Sequence, residues 1–403
     1  MTLEEISQFK LELSSELDAL LSYWATTVRD VEYKGFFGEI NSSGTIDKKA
    51  TRGVVLNTRI LWAFAAGYNR TQKEEYKQIA EEQFIYIIEN FWDSENEGVI
   101  WEIDCDGNPV NTRKQAYAQG FAIYGFSEFY RATGNELSLD LSIKLYNILQ
   151  DKFWDKEHLG YIEALQKDWS IIQDMRLSDK DLNVPKSMNT HLHILEPYTN
   201  LYRVWSDGSL KNSIQDLISI FQNIIVDKDT GHFNLFFGQN WKSKSKTISY
   251  GHDIEGAWLL HEAAIEINEP KVIESIKKTS LRLVDITCNE GMGQDGSIFN
   301  ESEEGIIDKD KHWWVQAEGL VGLIDAYEIS GDATYFYKAV KLWAYIKTYI
   351  RDIKEGEWYW RVDIENKPIL SEYKIGFWKC PYHNSRALIE LLNRLDKIEE
   401  VRL

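Results

Sequence analysis

Six times along this 403-residue chain, a glycine is followed closely by an aromatic or apolar run in a short acidic or polar setting. These glycines lie 60 to 71 residues apart, at Gly35, Gly98, Gly160, Gly231, Gly296 and Gly356. A repeat of nearly fixed length indicates an array of similar units, each too small to bury a core alone. The repeat therefore predicts a single domain over residues 1–403, although the length by itself suggests two or three domains.

The segments between these glycines have the pattern of helices. Apolar residues recur every three or four positions, as at Leu56, Ile60, Leu61 and Phe64. Short polar turns divide the segments and predict twelve helices, at 3–30, 49–70, 72–92, 113–133, 136–152, 187–207, 210–225, 251–267, 270–288, 310–331, 333–351 and 381–397.

The glycine segments combine glycine with β-branched and aromatic residues and predict short hairpins in the long connections. The resulting order predicts an all-α fold, an (α/α)6 barrel or toroid with six inner and six outer helices. We expect the first and last helices to pair and close the ring. The even-numbered helices follow the long connections and are the expected inner helices, with their N-terminal ends around one mouth.

Composition narrows the class of protein. The net charge of −19 argues against a nucleic-acid or anionic-membrane partner, since both need basic surface. Three cysteines indicate a reducing compartment without a disulfide framework. The sequence shows no signal peptide and no apolar run near the roughly 20 residues of a membrane span. We therefore expect a cytoplasmic protein with a small-molecule partner, either a monomer or a weak homo-oligomer.

The most reactive side chains share one phase of the repeat, at the starts of the predicted inner helices. Histidine is prominent among them, and an imidazole titrates near 6.5, which suits proton transfer near neutral pH. The spacings of three or four within the pairs place both members on one helix face. The set is Arg59, Tyr117, Asn189 with His193, His252 with Glu255, Trp314 with Glu318, and His383 with Arg386. We expect His191, His232, His261 and His312 to be packing residues and His158 to lie on the surface.

Other chemistries remain open on the residues alone. Three histidines and a glutamate would suit zinc or manganese, although no HxxxH or HExxH spacing is present. Glu255, Glu318 and Asp181 are candidates for the two carboxylates of a glycoside hydrolase. The 15 tryptophans fit either sugar-stacking surfaces, including those of a non-catalytic sugar-binding module, or a large helical core.

Five segments together carry a family resemblance: SYGHDIE (249–255), WWVQAE (313–318), WKCPYHNSR (378–386), KSMNTHLHILE (186–196) and GVVLNTRILW (53–62). They resemble the cellobiose 2-epimerases, within the wider N-acylglucosamine 2-epimerase superfamily, and the resemblance spans almost the whole chain. It implies reversible epimerisation at C2 of the reducing-end glucose of a β-1,4-linked disaccharide, with no metal or other cofactor. An aldose–ketose or mannose-type isomerase and an N-acylglucosamine 2-epimerase are the alternatives on the same fold.

The same resemblance implies roles for the site residues. His252 and His383 would be the acid–base pair, in an order that stays open, and Glu255 would orient His252. His193 would help to open the sugar ring, and Arg59 would stabilise the enediolate. The remaining residues would bind substrate or shape the pocket: Tyr117, Asn189, Trp314, Glu318, Trp378, and Asp181 in a polar loop at 178–186 that we expect to be mobile.

Overall fold

The computed structural model describes residues 2–402 and contains twelve α-helices in that range, as the sequence predicts. The helices are α1 (Leu3–Thr26), α2 (Val54–Thr71), α3 (Glu74–Phe91), α4 (Ala116–Thr133), α5 (Glu136–Ile148), α6 (Met188–Tyr202), α7 (Gly208–Ile220), α8 (Tyr250–Ile267), α9 (Pro270–Ile286), α10 (Trp313–Ser330), α11 (Ala333–Tyr345) and α12 (Tyr382–Arg402). Four outer helices continue into π-helical turns at Leu149–Phe153, Phe221–Ile225, Thr287–Gly291 and Ile346–Ile350.

The even-numbered helices form an inner ring. Each packs against the next, from α2 through α4, α6, α8 and α10 to α12, and α12 packs back on α2. The odd-numbered helices lie outside, each against an inner helix, and α1 lies against α12. In α2 every residue from Val54 to Gly67 is buried, because a helix inside the ring has neighbours on all sides. These contacts close the ring between the first and last helices, as expected.

Small antiparallel sheets sit where each inner helix begins. In every sheet, the strand leading into an inner helix pairs with a strand that follows an outer helix. The six sheets are β15 (Tyr373–Ile375), β1 (Glu39–Asn41) and β2 (Ile46–Asp47); β3 (Arg52–Gly53), β4 (Glu102–Ile103) and β5 (Pro109–Asn111); β6 (Lys114–Gln115) and β7 (Ala164–Leu165); β8 (Lys186–Ser187) and β9 (Phe236–Phe237); β10 (Ile248–Ser249), β11 (Glu301–Glu303) and β12 (Ile306–Asp308); and β13 (Lys311–His312) and β14 (Arg361–Val362).

The six repeated glycines mark the tight turns just after the outer helices. All six have positive φ angles, from 65° to 92°, a region that disfavours residues with a Cβ atom. One or two positions after each of these glycines, a residue forms an isolated antiparallel bridge across the turn. Phe36 pairs with Arg29 in this way, and Trp358 pairs with Arg351. The prediction of hairpins at these glycines is confirmed.

Buried basic residues tie the turns to the inner helices. Lys114 Nζ lies 3.0 Å from Asp93 Oδ2, and Lys186 Nζ lies 2.9 Å from Asp155 Oδ2. The same tie joins Arg52 to Asp30 and Lys374 to Asp352. Each basic residue precedes an inner helix, and each aspartate lies at the start of a glycine turn. The same kind of buried ion pair therefore occurs in four of the six repeated units.

Some helix boundaries differ from those predicted. Helices α2, α4 and α10 begin later, at Val54, Ala116 and Trp313. The residues before them are strands, because their backbone groups pair with neighbouring strands across the connection. Helix α1 ends at Thr26 instead of residue 30, since Arg29 bridges to Phe36. Among residues 2–402, none of the helices has the length and apolar character needed to cross a membrane.

Candidate active site

A cavity of about 510 Å³ opens at the N-terminal ends of the inner helices. Ten of the eleven predicted site residues line it, and they come from all six inner helices and two connecting loops. The eleventh, Glu318, lies directly behind His383. The ten are Arg59, Tyr117, Asp181, Asn189, His193, His252, Glu255, Trp314, Trp378 and His383.

A larger cavity, of about 760 Å³, opens at the opposite end of the ring. Many of its wall residues are charged, and several of these pair with one another, as Arg203 does with Glu262 and Glu266. His261 also lines it, with Nδ1 bonded to Asp325. The three histidines predicted to act together lie at the other mouth, so we place the candidate active site there.

Three histidines that line the smaller cavity, His193, His252 and His383, are held as uncharged imidazoles. Burial and, to a smaller extent, the nearby His193 lower the pKa of His252 to about 3, although Glu318 partly offsets the effect. The pKa of His383 is well below its usual value because of burial and of the charges on Arg59 and Arg386. Burial also lowers the pKa of His193, although Glu196 partly offsets the effect. Neutral imidazoles can accept protons, which a general base requires.

Two of these histidines are hydrogen-bonded to carboxylates. His383 Nδ1 lies 2.6 Å from Glu318 Oε1, and His193 Nδ1 lies 3.0 Å from Glu196 Oε2. An ionised carboxylate can only accept a hydrogen bond, so each pair places the imidazole proton on Nδ1 and leaves Nε2 as the acceptor. The Nδ1 atom of His252 instead lies 2.8 Å from the hydroxyl of Ser249.

The guanidinium of Arg386 joins the carboxylates beneath the cavity. Its Nη2 atom lies 2.6 Å from both Glu255 Oε1 and Glu318 Oε1, and its Nη1 atom donates to Glu196. Burial alone would raise the pKa of Glu196, but Arg386, His193 and Tyr382 outweigh it and lower the pKa to about 2. Glu196 is therefore ionised beside His193.

The expected contact between Glu255 and His252 is wrong. Three positions along a helix do place the two residues on one face, but Glu255 turns to Arg386 and His252 turns back to Ser249, which caps its helix. Side chains in helices lean toward the N-terminus, and the buried positive charge of Arg386 attracts the carboxylate. Glu255 lies nearer to His383, with 3.8 Å between its Oε1 atom and His383 Nδ1.

Arg59 is a buried cation held between aromatic rings. Its guanidinium carbon lies 4.1 Å from the ring centre of Phe121 and 4.6 Å from that of Tyr382. Its Nη2 atom donates to the hydroxyl of Tyr117 at 2.7 Å. Burial would lower the pKa of Arg59, yet Tyr117, Cys380 and Tyr382 raise it, so the group stays charged. This charge has no carboxylate partner among the residues that the structure describes.

Aromatic and loop residues form the outer wall. The Trp314 ring lies 4.8 Å from that of His252 and 5.7 Å from that of His383. The Asp181 carboxylate accepts from the backbone N–H and the hydroxyl of Ser178, at 2.8 and 2.9 Å, and so folds the tip of its loop. The side-chain oxygen of Asn189 is buried and lacks a partner within residues 2–402, so a ligand is its natural donor.

Sequence reasoning missed several residues of the site. Glu196 and Tyr382 received no role, although Glu196 follows His193 at the same three-residue spacing that marked other pairs. His312 was expected to be a packing residue, but it lines the cavity, and its Nε2 atom has no partner in the described part of the chain. By contrast, His191 and His232 are buried and bonded within the fold, as expected.

Glu255, Glu318 and His383 bring three possible metal-ligand atoms within 4.8 Å of one another. The Arg386 guanidinium already contacts both carboxylates, so a protein cation occupies the position where a metal ion would lie. The arrangement supplies neutral bases, a buried arginine and oriented carboxylates, which together can move a proton and stabilise an oxyanion.

Comparison with known proteins shows the class of protein to which this helical ring and its histidine-lined cavity belong. The sequence model of the N-acylglucosamine 2-epimerase (GlcNAc 2-epimerase) family matches residues 35–387. The chain therefore belongs to the N-acylglucosamine 2-epimerase family.

Individual relatives within this family are named more specifically. Cellobiose 2-epimerase of Bacteroides fragilis is 44% identical over 386 residues, covering 95% of this chain and 98% of that protein. Cellobiose 2-epimerase of Dictyoglomus turgidum is 36% identical over 97% of this chain and 100% of that protein. The solved structure of cellobiose 2-epimerase from Bacillus thermoamylovorans superposes with a TM-score of 0.92 at 36% identity, covering 96% of this chain and 100% of that one.

Proposed function

We propose that this protein is a cellobiose 2-epimerase, which reversibly inverts C2 of the reducing-end glucose of β-1,4-linked disaccharides. Cellobiose would become 4-O-β-glucosyl-mannose and lactose would become epilactose. The observation that carries the proposal is the pair His252 and His383, which are neutral, come from different helices and line one cavity. The shared name of the Bacteroides and Dictyoglomus relatives supports the choice of substrate.

The reaction begins with the open-chain sugar, because a hydrogen on the carbon next to an aldehyde can be removed by a positioned base. His193, held by the ionised Glu196, is placed to help to open the ring. One of His252 and His383 then removes the C2 proton. Proton transfer by a positioned side chain is typically worth about 10²–10⁴-fold in rate.

The resulting cis-enediolate carries negative charge on O1 and O2. Arg59 is the buried cation available to stabilise it, since its charge is not matched by a carboxylate among residues 2–402. Inversion requires that the proton return to the other face of C2. Either the second histidine takes up a proton from solvent and delivers it to that face while the first releases its own, or the C2–C3 bond rotates so that the first histidine returns the proton it removed.

The outer wall would hold the rest of the disaccharide. Trp378 is placed to stack on a sugar face, and Tyr117 and Trp314 shape the pocket. Asn189 offers its unpartnered oxygen to a hydroxyl group. Asp181 sits at the tip of the loop over the cavity, where a second hydroxyl would reach it.

The cellular setting is also part of the proposal. Three free cysteines, Cys105, Cys288 and Cys380, support a cytoplasmic location. A monomeric or weakly associating state completes the proposal. The net charge of −19 speaks against nucleic-acid partners.

The test is NMR of cellobiose incubated with the protein in D₂O after removal of bound metals. We expect glucosyl-mannose to accumulate with deuterium at C2, and no product from His383→Ala. The matched control is His158→Ala, which removes a half-exposed histidine outside the cavity and should retain wild-type activity. Free glucose would indicate a hydrolase, and a ketose as the main product would indicate an isomerase. An unchanged spectrum would contradict the proposed substrate.

A further inference from the structure

Three buried carboxylates, those of Glu196, Glu255 and Glu318, share the guanidinium of Arg386. Glu255 and Glu318 both approach Nη2 at 2.6 Å, and Glu196 contacts Nη1. None of the three glutamates is more than 2% exposed. The imidazoles of His193 and His383 complete the cluster, each through Nδ1.

The charges of this cluster do not balance if all three carboxylates are ionised. Arg386 supplies one positive charge in direct contact, and Arg59, which contacts no carboxylate but lies against Tyr382 in the same pocket, supplies a second. The histidines are neutral, and the three carboxylates supply three negative charges. An uncompensated buried charge is costly, and a buried group commonly takes up a proton instead. One additional proton makes the two arginines and three glutamates neutral as a set.

Hydrogen bonding indicates where that proton resides. Both oxygens of Glu196 accept hydrogen bonds, from Tyr382, Arg386 and His193. Both oxygens of Glu318 also have donors, with Trp258 Nε1 at 3.0 Å from Oε2. The Oε2 atom of Glu255 is buried and has no partner within residues 2–402. A proton on any other oxygen of the three would compete with a donor already bonded there, whereas Oε2 of Glu255 has no such donor.

We propose that Glu255 is a neutral carboxylic acid in the working enzyme and that its Oε2–H donates a hydrogen bond to an oxygen of the bound sugar. Glu255 lines the cavity, and Arg386 fixes its Oε1 atom, so the hydroxyl is oriented before substrate enters. A neutral acid can stabilise a developing oxyanion, which a carboxylate would repel. The proton remains on Glu255 throughout the reaction. The inference rests on the proposed function for the identity of the sugar.

Infrared spectroscopy of the substrate-free protein tests the proton directly. Wild type at neutral pH should show the carbonyl band of a protonated carboxylic acid, shifted by H/D exchange and absent from Glu255→Gln. In Glu318→Gln, which alters the neighbouring carboxylate on the same nitrogen, the band should persist. The absence of a band in wild type, or its persistence in Glu255→Gln, would overturn the assignment.

Kinetics tests the hydrogen bond. The Glu255→Gln variant keeps a neutral donor of the same shape and should lose less than about tenfold in kcat, whereas Glu255→Leu should lose about 10²–10³-fold. Equal losses in two folded variants would contradict donation by Glu255. If wild type shows the band but leaves cellobiose unchanged, the proposed substrate fails while the assignment of the proton stands.

Discussion

At the scale of single residues, the site combines bases with surroundings that keep them uncharged. Burial disfavours the charged form of both His252 and His383, and the charges of Arg59 and Arg386 oppose a further positive charge on His383. Arg386, together with His193 and Tyr382, keeps Glu196 ionised. Burial keeps the histidines neutral, whereas the contacts of Glu196 overcome its burial and keep it charged, so groups a few ångströms apart hold different protonation states in one pocket.

This environment predicts an unusual pH dependence. A histidine base with the ordinary pKa of about 6.5 would lose about tenfold in rate by pH 5.5, because only its neutral form accepts a proton. The pKa of His252 is about 3 and that of His383 is well below 6.5, so the acid limb moves to lower pH. We expect kcat/KM for cellobiose to change little between pH 7 and pH 5.5. Initial rates, with circular dichroism to verify folding at each pH, check this. A midpoint near 6.5 would show that the histidines titrate normally.

The extent to which these residues could be predicted depends on how local their signals are. His193, His252 and His383 could be predicted because each lies at the same position of the repeat, and that position can be read from the local sequence of each helix. Glu196 bonds Tyr382 from 186 positions away, and no local pattern links the two. The misassigned partner of His252 has the same origin, since helix spacing says which face a residue occupies but not which distant charge attracts it.

At the scale of elements, the buried basic residues before the inner helices are the feature that sequence reasoning overlooked. Lysine and arginine usually indicate surface, and the repeat was recognised by its glycines instead. Strand pairing across the connections also determines where the helices start. The pairing partner is some 50 residues away in the sequence, so the spacing of apolar residues within a helix does not reveal it. The number and type of the helices depend on periodicity and were therefore predictable.

One of these ties allows a direct measurement. Lys186 Nζ bonds Asp155 Oδ2 at 2.9 Å and the backbone carbonyls of Leu159 and Gln239 at 2.6 and 2.8 Å. We expect Lys186→Met to lower the free energy of unfolding by about 3–5 kcal/mol, because it leaves a buried carboxylate unpaired. Urea unfolding at pH 7 provides the measurement.

The matched control is Lys152→Met, which removes an exposed lysine paired with Asp151. This change should stay within about 0.5 kcal/mol of wild type. Equal effects of the two substitutions would mean that the buried tie contributes no more to stability than a surface pair.

At the scale of the whole molecule, the closed contact ring predicts one cooperative unfolding transition. Each inner helix is needed by both neighbours, and α1 and α12 complete the circle. The 15 tryptophans occur throughout the chain and so report on every part of it. Urea curves from tryptophan fluorescence and far-ultraviolet circular dichroism should coincide. Two separated midpoints would contradict the prediction of a single domain.

The contact between α1 and α12 also makes the order of the elements cyclic. The Ser7 hydroxyl lies 3.1 Å from a carboxylate oxygen of Glu399, so the first turns of α1 contact the last turns of α12. The short turns at Gly134 and Gly331 have open space around them. A circularly permuted chain, in which α12 is linked to α1 and new termini lie at either turn, would therefore form the same contacts between helices. The ring of contacts does not depend on which repeated unit comes first in the sequence.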